Sequence, residues 1–439
     1  MKFISDFHIH SKYSRATSRD MDLEHLDLWS RIKGIDVLGT GDFTHPLWLK
    51  ELMTKLEPAE FGLFKLKKQF AGAKNHKSNW FLPASAAKEP RYILTTEISC
   101  IYSKNNRTRK VHLIIFAPDF VFVEKFNTHL GWVGNLKADG RPILGLDAKE
   151  VVKIALNLSP QAMIIPAHAW TPWFSVFGSM SGFNSLEECF EEYARYIYAI
   201  ETGLSSDPAM NWRVSGLDNI TLISNSDSHS PHRIGREANV FEGRELDYQK
   251  ISEAIRLGSR APQSNVLRLT KTIEFFPEEG KYHFDGHRSC KVVFSPAESK
   301  KHKNICPVCN RPLTIGVMNR VEELADRPEG YQLKNAVPFL SLIPLDEIIG
   351  DALDVGPASK AVEKEYRELI NKFGGEMKIL MDVSRDELSR AAKPEIVEGI
   401  IRVREKKVKI EPGYDGEYGK IKIFENGEQK QFNKQASLF

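Results

Sequence analysis

The chain has 439 residues, more than one small domain needs, and this length suits one large domain with one or two smaller ones. Hydrophobic residues make up 41% and charged residues 27%, the balance of an ordinary soluble protein, and a net charge of +3 excludes a strongly cationic field over the whole surface. Any affinity for nucleic acid must therefore come from local basic patches. The first residues show no signal-peptide pattern and no apolar run is long enough to cross a bilayer, so we expect a cytoplasmic protein without a membrane partner.

Short apolar runs alternate with amphipathic segments over residues 1–262. The predicted strands are 3–8, 36–40, 92–99, 111–117, 163–166, 198–201 and 221–224. Segments with apolar residues at helical spacing lie at 23–32, 148–156, 186–196 and 248–257. This alternation predicts an α/β fold built as a β/α barrel of parallel strands.

A change in composition near Arg260–Asn265 predicts a domain boundary at about residue 262. Residues 263–335 contain three of the five cysteines and are predicted to form a small zinc-binding module. Residues 336–424 include an amphipathic helix at 358–373, so we expect a small, mainly helical C-terminal domain that contacts DNA. Residues 425–439 are polar and are predicted to be a flexible tail.

Histidine, aspartate and glutamate residues follow or end the predicted strands. A single histidine in an apolar strand is more often a core residue than a ligand. Here, however, the patterns His-x-His, Asp-x-x-His and Asp-x-His each come directly after a strand, and the active sites of β/α barrels lie at that end. Mixed nitrogen and oxygen donors suit Zn²⁺, Mn²⁺ or Fe²⁺ better than Mg²⁺ alone. The candidate ligands are His8, His10, Asp42, His45, Glu97, His112, His168, Asp227 and His229.

The order of these residues resembles the PHP (polymerase and histidinol phosphatase) superfamily. The resemblance implies a distorted β/α barrel with up to three metal ions and phosphoester hydrolysis, with Glu97, His168 and Asp227 at the catalytic centre. It assigns one ion to His8, His10, Glu97 and Asp227, a second to Glu97, His112 and His168, and a third to His229 with Asp42 or His45. The chain departs from the superfamily at the third ion, because residues 11–17 contain neither His nor Asp and Asp20 is the nearest substitute.

Two pairs of soft ligands with two-residue spacing lie in the second segment. They are His287-x-x-Cys290 and Cys306-x-x-Cys309, with fifteen residues between them. This pattern favours a tetrahedral Cys₃His structural zinc site, for which His283 is an alternative fourth ligand. Three buried cysteines without a metal are the alternative interpretation.

Longer strings resemble the endonuclease Q family. They are Gly286–Cys290, Cys306-x-x-Cys309 followed by residues 311–327, and Pro412–Gly419, and the similarity extends over essentially the whole chain. It implies a DNA partner, with cleavage of the phosphodiester 5′ to deoxyinosine, deoxyuridine, deoxyxanthosine or an abasic site. It also implies Zn²⁺ in both the module and the barrel, with Mg²⁺ or Mn²⁺ supporting catalysis. A phosphatase acting on a small phosphomonoester and a catalytically silent DNA-binding module remain as alternatives.

Recognition of a single lesion requires a pocket for an extruded base. Trp170, Trp173 and Phe174 follow His168 and are predicted to provide stacking faces, ordinary core packing being the alternative. Arg107 and Arg109 are predicted phosphate contacts, as is Arg233. For all three arginines, a solvated loop is the alternative.

The last five residues, Gln435–Phe439, are similar to the front half of a sliding-clamp-binding peptide. They predict a possible clamp partner, and a flexible chain end is the alternative.

Overall fold

The computed structural model describes residues 1–71, 88–425 and 427–429. The strands are β1 (Lys2–Asp6), β2 (Val37–Gly39), β3 (Leu56–Pro58), β4 (Leu63–Leu66), β5 (Arg91–Lys104), β6 (Arg107–Ala117), β7 (Ile143–Leu144), β8 (Met163–Pro166), β9 (Ala199–Glu201), β10 (Thr221–Ile223), β11 (Ala238–Gly243), β12 (Leu267–Glu274), β13 (Asp285–His287), β14 (Val292–Phe294), β15 (Phe339–Ser341), β16 (Lys409–Glu411) and β17 (Lys420–Lys422). The α-helices are α1 (Leu23–Lys33), α2 (Pro46–Lys55), α3 (Phe120–Gly131), α4 (Ala148–Leu158), α5 (Leu186–Phe190), α6 (Pro208–Asn211), α7 (Tyr248–Leu257), α8 (Pro296–Lys301), α9 (Val317–Leu324), α10 (Leu345–Leu353), α11 (Lys360–Phe373), α12 (Glu376–Met381), α13 (Arg385–Ser389) and α14 (Pro394–Arg404).

The first part of the chain folds into a distorted barrel. Strands β1, β2 and β5 are parallel neighbours, β6 pairs with both β5 and β8, and β9 pairs in parallel with β10. A parallel bridge between Ile9 and Ser228 brings the segment after β10 back to the segment after β1. The predicted α/β fold, a distorted barrel followed by a Cys/His module and a helical region, is confirmed.

The barrel differs from the predicted one because it is not formed by parallel strands alone. Strand β6 runs antiparallel to β5, and the two are joined by the turn at Asn105 and Asn106. Both asparagines have positive φ angles, 54° and 57°, as two-residue hairpin turns require. A connection this short allows only an antiparallel partner.

The main sheet continues beyond the predicted boundary at residue 262. Strand β11 is antiparallel to β1, β12 is antiparallel to β11, and β15 is parallel to β12. Residues 267–274 and 339–341 therefore extend the sheet of the barrel, and the polar segment near residue 262 is the connection between α7 and β12.

The Cys/His module comprises β13, β14, α8 and α9, and its apolar core is small, formed by Val292, Cys306 and Leu313. Arginine 320, on α9, is buried and attaches the module to the barrel. Its guanidinium donates to the carbonyl oxygens of Phe177 and Phe183, each at 3.0 Å. The loop that follows β8 is thus fixed to the module.

The C-terminal helices α10–α14 pack around a common apolar core. The predicted helix at 358–373 is α11, which begins after the capping residue Ser359 and ends before Gly374, where φ is 91°. A buried ion pair of 2.7 Å between Lys33 on α1 and Glu376 joins these helices to the barrel. Among the described residues, no helix combines the length and apolar composition needed to cross a membrane.

Candidate metal centre

His8 and His10 lie just beyond β1 and point to the same side of an extended segment. Ile9, between them, is 1% exposed and is held by its bridge to Ser228. This bridge also brings the neighbouring Asp227, which follows β10, next to the two histidines. Buried apolar packing of the intervening residue therefore sets the direction of both imidazoles.

The structure gathers two groups of possible ligands. In the first, the Nε2 atom of His10 lies 3.1 Å and that of His8 lies 3.6 Å from Oδ1 of Asp227. In the second, Nδ1 of His112 and Nε2 of His168 lie 2.7 Å and 3.1 Å from Oε1 of Glu97. Each group offers three donor atoms within the reach of one cation.

Glu97 connects the two groups. Its Oε1 atom faces His112 and His168, and its Oε2 atom lies 3.3 Å from Nε2 of His10 and 3.6 Å from Nε2 of His8. A carboxylate shared in this way is the arrangement that a bridged two-metal site requires.

The buried donor atoms test whether this cluster fits metal ions. Nε2 of His8, Nε2 of His10 and Oδ1 of Asp227 are buried and make no hydrogen bond with any described residue. Buried polar atoms are nearly always satisfied, and leaving one unsatisfied costs about 1–3 kcal/mol. Three unsatisfied atoms that face one another are explained by a cation that all three bind, so the residues fit the metal.

Polar groups next to the Nδ1 atoms orient three of the imidazole rings. Nδ1 of His10 lies 3.0 Å from Oδ1 of Asp42, and Nδ1 of His8 lies 3.1 Å from both carboxylate oxygens of Glu201. On the other group, Nδ1 of His168 lies 3.1 Å from the hydroxyl oxygen of Ser175, and this hydroxyl donates to the carbonyl oxygen of His168. Partners of this kind fix the tautomer of a metal-binding histidine and turn its other nitrogen toward the ion.

Burial and neighbouring charges shift the pKa of Glu97 in opposite directions. Burial would raise the pKa of the Glu97 carboxyl, but His112 and Arg141 hold that pKa well below its ordinary value. The glutamate is therefore ionised near pH 7, the form that binds metal.

Backbone strain is concentrated at the same place. Asp42, His168, Phe174 and Asp227 all have positive φ angles, of 48°, 30°, 65° and 46°. Such conformations cost residues other than glycine about 1–3 kcal/mol and cluster at functional sites. Gly203 approaches His168 so closely that a Cβ atom there would lie 2.6 Å from the histidine Cβ.

A cavity of about 390 Å³ opens over the second ligand group. His112, His168 and Asp227 contribute to its lining, and the half-buried rings of Trp173 and Phe174 form part of its wall. The volume lies within the range of ligand-binding sites, about 300–1,000 Å³.

The second candidate metal site lies in the Cys/His module. His287, Cys290, Cys306 and Cys309 each offer one ligand atom, and all four atoms lie within 4.8 Å of one another. Nδ1 of His287 is 3.5 Å from Sγ of Cys309. His283, the alternative fourth ligand, is buried beside Phe284 and is not part of this group. Three sulfur donors and one imidazole are typical of a structural zinc site.

Comparison with known proteins assigns the chain to a family. It is similar to the lesion-specific endonuclease PfuEndoQ from Pyrococcus furiosus, with 30% sequence identity, coverage of 97% of this chain and 96% of that protein, and a TM-score of 0.82. The chain belongs to the endonuclease Q family. It is also similar to endonuclease Q in complex with a 27-mer duplex substrate with an abasic lesion at the active site, with 30% identity, 97% coverage of both chains and a TM-score of 0.80.

Two other matches of this endonuclease Q family member cover less of the chain. Residues 344–407 match the family model described as the MJ0043 C-terminal domain. The uncharacterized protein MJ0043 of Methanocaldococcus jannaschii is 34% identical over 261 residues, which are 58% of this chain and 31% of that protein. The match thus spans about a third of the length of this relative. The predicted family and the prediction of an enzyme are confirmed at the level of the endonuclease Q family.

The predicted third ligand set is not gathered among the described residues of this endonuclease Q family member. Asp42 faces His10 and Ser11 instead, and its Oδ2 atom accepts the backbone N–H of Ser11 at 2.6 Å. His45 directly precedes α2, and its ring stacks on Tyr13 at 4.5 Å. His229 does lie beside the first group, with its ring 4.5 Å from that of His10. Asp20, the predicted substitute, is exposed.

The predicted base-stacking residues of this family member separate into two kinds. Trp170 is 1% exposed, and its indole N–H donates to Oδ1 of Asn211 at 2.7 Å, so it is a core residue. Trp173 and Phe174, in contrast, line the cavity. An aromatic ring next to a ligand in sequence therefore does not by itself face the site.

The predicted phosphate contacts also lie in different environments. Arg107 is exposed at the tip of the β5–β6 hairpin. Arg109 is buried, lies over the ring of Phe183 and donates to the carbonyl oxygen of Gly182, so it packs against the protein. Arg233 forms an ion pair with Glu347 of the C-terminal helices, outside the cavity. Gln435–Phe439 lie outside the described residues.

Sequence reasoning missed two charged residues of the site. Glu201 ends β9, so a carboxylate at a predicted strand end was the available signal. Arg141 lies in the loop before β7 and lines the cavity, and no periodicity marks it.

Proposed function

We propose that this chain is a metal-dependent DNA repair endonuclease that hydrolyses the phosphodiester 5′ to a deaminated base or an abasic site. The observation that supports it most is the pair of ligand groups that face the two oxygens of the Glu97 carboxylate, beside a cavity lined by His112, His168 and Asp227. Membership in the endonuclease Q family supports DNA as the substrate, since one member has been crystallised with an abasic duplex.

We assign His8, His10, Glu97 and Asp227 to one metal ion, and Glu97, His112 and His168 to a second. Bound there, divalent ions supply Lewis-acid activation of water and stabilise the charge that develops on the phosphate. The protein contributes the ionised carboxylate of Glu97, which fixes the spacing between the two ligand groups. The carboxylates of Asp42 and Glu201 fix the proton positions on the two first-group histidines.

We assign Zn²⁺ to the Cys/His module and to the barrel, with Mg²⁺ or Mn²⁺ supporting catalysis. Three thiolates and an imidazole favour zinc over hard cations, whereas the mixed imidazole and carboxylate groups accept several transition metals. The metal content of the purified protein, measured for each element, tests this assignment.

We assign lesion recognition to the wall of the cavity formed by Trp173 and Phe174. An extruded base or an empty deoxyribose can enter a cavity of about 390 Å³ beside the ligands. Gly203, Leu204 and Ser205 also line the cavity.

The experiment is a cleavage panel on end-labelled 30-mer duplexes. Each contains one abasic site, deoxyinosine, deoxyuridine or deoxyxanthosine, or no lesion, and each is tested with Zn²⁺, Mn²⁺ and Mg²⁺. We expect a nick on the 5′ side of the lesion, with a 3′-hydroxyl that a polymerase extends and a 5′-phosphate that a ligase seals. No cleavage of any lesion by protein that contains its barrel metals would contradict the proposal.

Matched variants distinguish the proposal from its alternatives. Glu97→Gln removes the shared carboxylate and should abolish cleavage, whereas Glu274→Gln alters another fully buried glutamate that lies outside the ligand groups and should retain it. Turnover of p-nitrophenyl phosphate without DNA cleavage would favour a phosphomonoesterase. Lesion binding without any turnover would favour a silent DNA-binding module.

A further inference from the structure

Arg141 lies at the mouth of the metal centre, on the loop between α3 and β7. Its Nη1 atom donates to Oε2 of Glu97 at 3.0 Å, and its side chain is 28% exposed. Together with His168 and Asp227 it lines the cavity. Among the described residues, Glu97 is the side chain with which its guanidinium forms a hydrogen bond.

The loop that carries Arg141 is held tightly against the strand ends. A Cβ atom on the preceding Gly140 would lie 2.3 Å from both Oδ2 of Asp42 and Oγ of Ser14. The carbonyl oxygen of Pro142 accepts the backbone N–H of Ser99 on β5 at 3.0 Å. The position of the guanidinium is therefore fixed by backbone packing on both sides.

A second arginine, Arg15, is bound by the same carboxylate as Arg141. The buried carboxylate of Asp139 accepts the backbone N–H groups of Arg15 and Arg141, at 3.3 Å and 3.2 Å. Its Oδ2 atom also lies 3.3 Å from Nε of Arg15, whose side chain is 74% exposed and extends over the same cavity. One carboxylate thus sets the positions of two guanidinium groups, one deep and one at the surface.

Glu97 is the anion that Arg141 contacts, but it is shared with both cation-binding groups, so two bound cations and the guanidinium leave an excess of positive charge that a further anion would balance. Because Glu97 belongs to both ligand groups and contacts Arg141, an anion that bridges the two groups would lie beside this guanidinium. A phosphodiester offers two non-bridging oxygens, which match the planar fork of arginine.

We propose that Arg141 and Arg15 form a phosphate clamp, in which Arg141 binds a non-bridging oxygen of the scissile phosphodiester and Arg15 binds the adjacent phosphate of the same strand. This inference rests on the proposed function, because it takes the substrate to be a nucleic-acid phosphodiester. It makes Arg141 a catalytic residue in the sense that it touches the substrate.

The test measures binding of inorganic phosphate to the metal-loaded protein by isothermal titration calorimetry, so that it does not depend on cleavage. Arg141→Met should weaken phosphate binding by about 10- to 100-fold, the loss expected for one charge-assisted hydrogen bond, and Arg141→Lys should fall between this variant and the wild type. Metal content should remain unchanged in both variants.

Arg91→Met is the matched control. Arg91 is also paired with a glutamate, with 2.7 Å between its Nε and Oε2 of Glu60, and its side chain is 24% exposed, but it lies at the start of β5 and outside the cavity. This variant should bind phosphate as the wild type does.

Arg15 is tested with an undamaged duplex, whose binding is followed by fluorescence anisotropy at several salt concentrations. Arg15→Gln should reduce the slope of log affinity against log salt by about 1, the change expected for one lost phosphate contact. An unchanged slope would remove Arg15 from the clamp.

Equal phosphate affinity in the wild type and in Arg141→Met would overturn the inference, even if the wild type cleaves damaged DNA. So would a loss of metal from Arg141→Met, because the residue would then support the ligands only. If Arg141→Met does not fold, Arg141→Lys provides the same comparison. Phosphate binding through Arg141 without cleavage of any lesion would retain the clamp and contradict the proposed function instead.

Discussion

Glu201 provides the sharpest test of how the metal centre is assembled. It is fully buried and accepts three hydrogen bonds: from Nδ1 of His8 at 3.1 Å, from the backbone N–H of His168 at 2.7 Å and from Nδ2 of Asn225 at 2.9 Å. Glu201→Gln keeps the shape of the side chain but replaces one acceptor oxygen by an NH₂ group. At least one of the three donors then faces another donor.

We expect this variant to weaken metal binding at the first ligand group by about 10- to 100-fold, the loss typical of partners that orient metal-binding histidines. This range corresponds to about 1.4–2.7 kcal/mol. The assay is a competitive titration of Zn²⁺ or Mn²⁺ against a chromophoric chelator, performed on the wild type and on the variant at the same pH.

Glu274→Gln is the control, because Glu274 is equally buried but bonds to the hydroxyls of Thr202 and Ser224, at 2.8 Å and 3.1 Å, and not to a ligand. Its metal affinity should match that of the wild type. Unchanged affinity in Glu201→Gln would refute the argument that this carboxylate orients His8. An equal loss in both variants would indicate general damage to the core.

Four further predictions address other parts of the molecule. Asp227→Asn should abolish turnover while leaving the thermal unfolding midpoint within a few degrees of the wild type, as measured by calorimetry; a large drop would mean that the residue is structural. Cys309→Ser should remove about one equivalent of zinc per chain, as measured by elemental analysis, and retention of the full content would contradict the Cys₃His assignment. Arg320→Met deprives two buried carbonyl oxygens of a donor and should lower the free energy of unfolding by about 3 kcal/mol in chemical denaturation with the metal content intact; a change below 1 kcal/mol would contradict a fixed attachment of the module. Burial raises the pKa of Glu274 to about 7, so its contribution to stability should fall as pH rises from about 4 to about 7, and denaturation curves recorded at pH 4 and pH 8 should show the wild type losing up to ~3 kcal/mol relative to Glu274→Gln; parallel pH profiles for the two proteins would contradict it.

The ligands that sequence could predict share a property of extended chains. His8 and His10 are two residues apart after a strand, so their side chains point the same way whatever the remainder of the fold does. Asp227 and His168 also follow strands, and strand ends meet on one side of a barrel. His112 reaches the same place for a different reason, because β6 runs antiparallel to β5 and pairs His112 with Ser99, two residues from Glu97.

The remaining features depend on contacts between distant segments, which spacing does not reveal. Asp42 has the spacing of a ligand, yet the serines at positions 11 and 14 occupy its Oδ2 atom and turn its Oδ1 atom toward His10. Trp170 follows a ligand, yet Asn211 on α6 holds its indole in the core. Arg141 reaches the site only because Gly140 fits against the end of β2, a contact that spans about a hundred residues of sequence.

The loop that follows His168 links the two candidate metal sites. At one end Phe174 contacts the ring of His112 at 4.8 Å, and at the other Phe177 and Phe183 accept hydrogen bonds from Arg320 of the module. Between them, Trp173 lines the cavity while its ring packs edge-on against Tyr282 at 5.5 Å, and Tyr282 directly accepts the first backbone N–H of α9. Because the apolar core of the module is too small to hold this arrangement alone, we expect a metal bound by the module to stabilise one wall of the cavity. Loss of that metal should therefore raise the KM for damaged DNA before it changes the affinity of the barrel for its own ions.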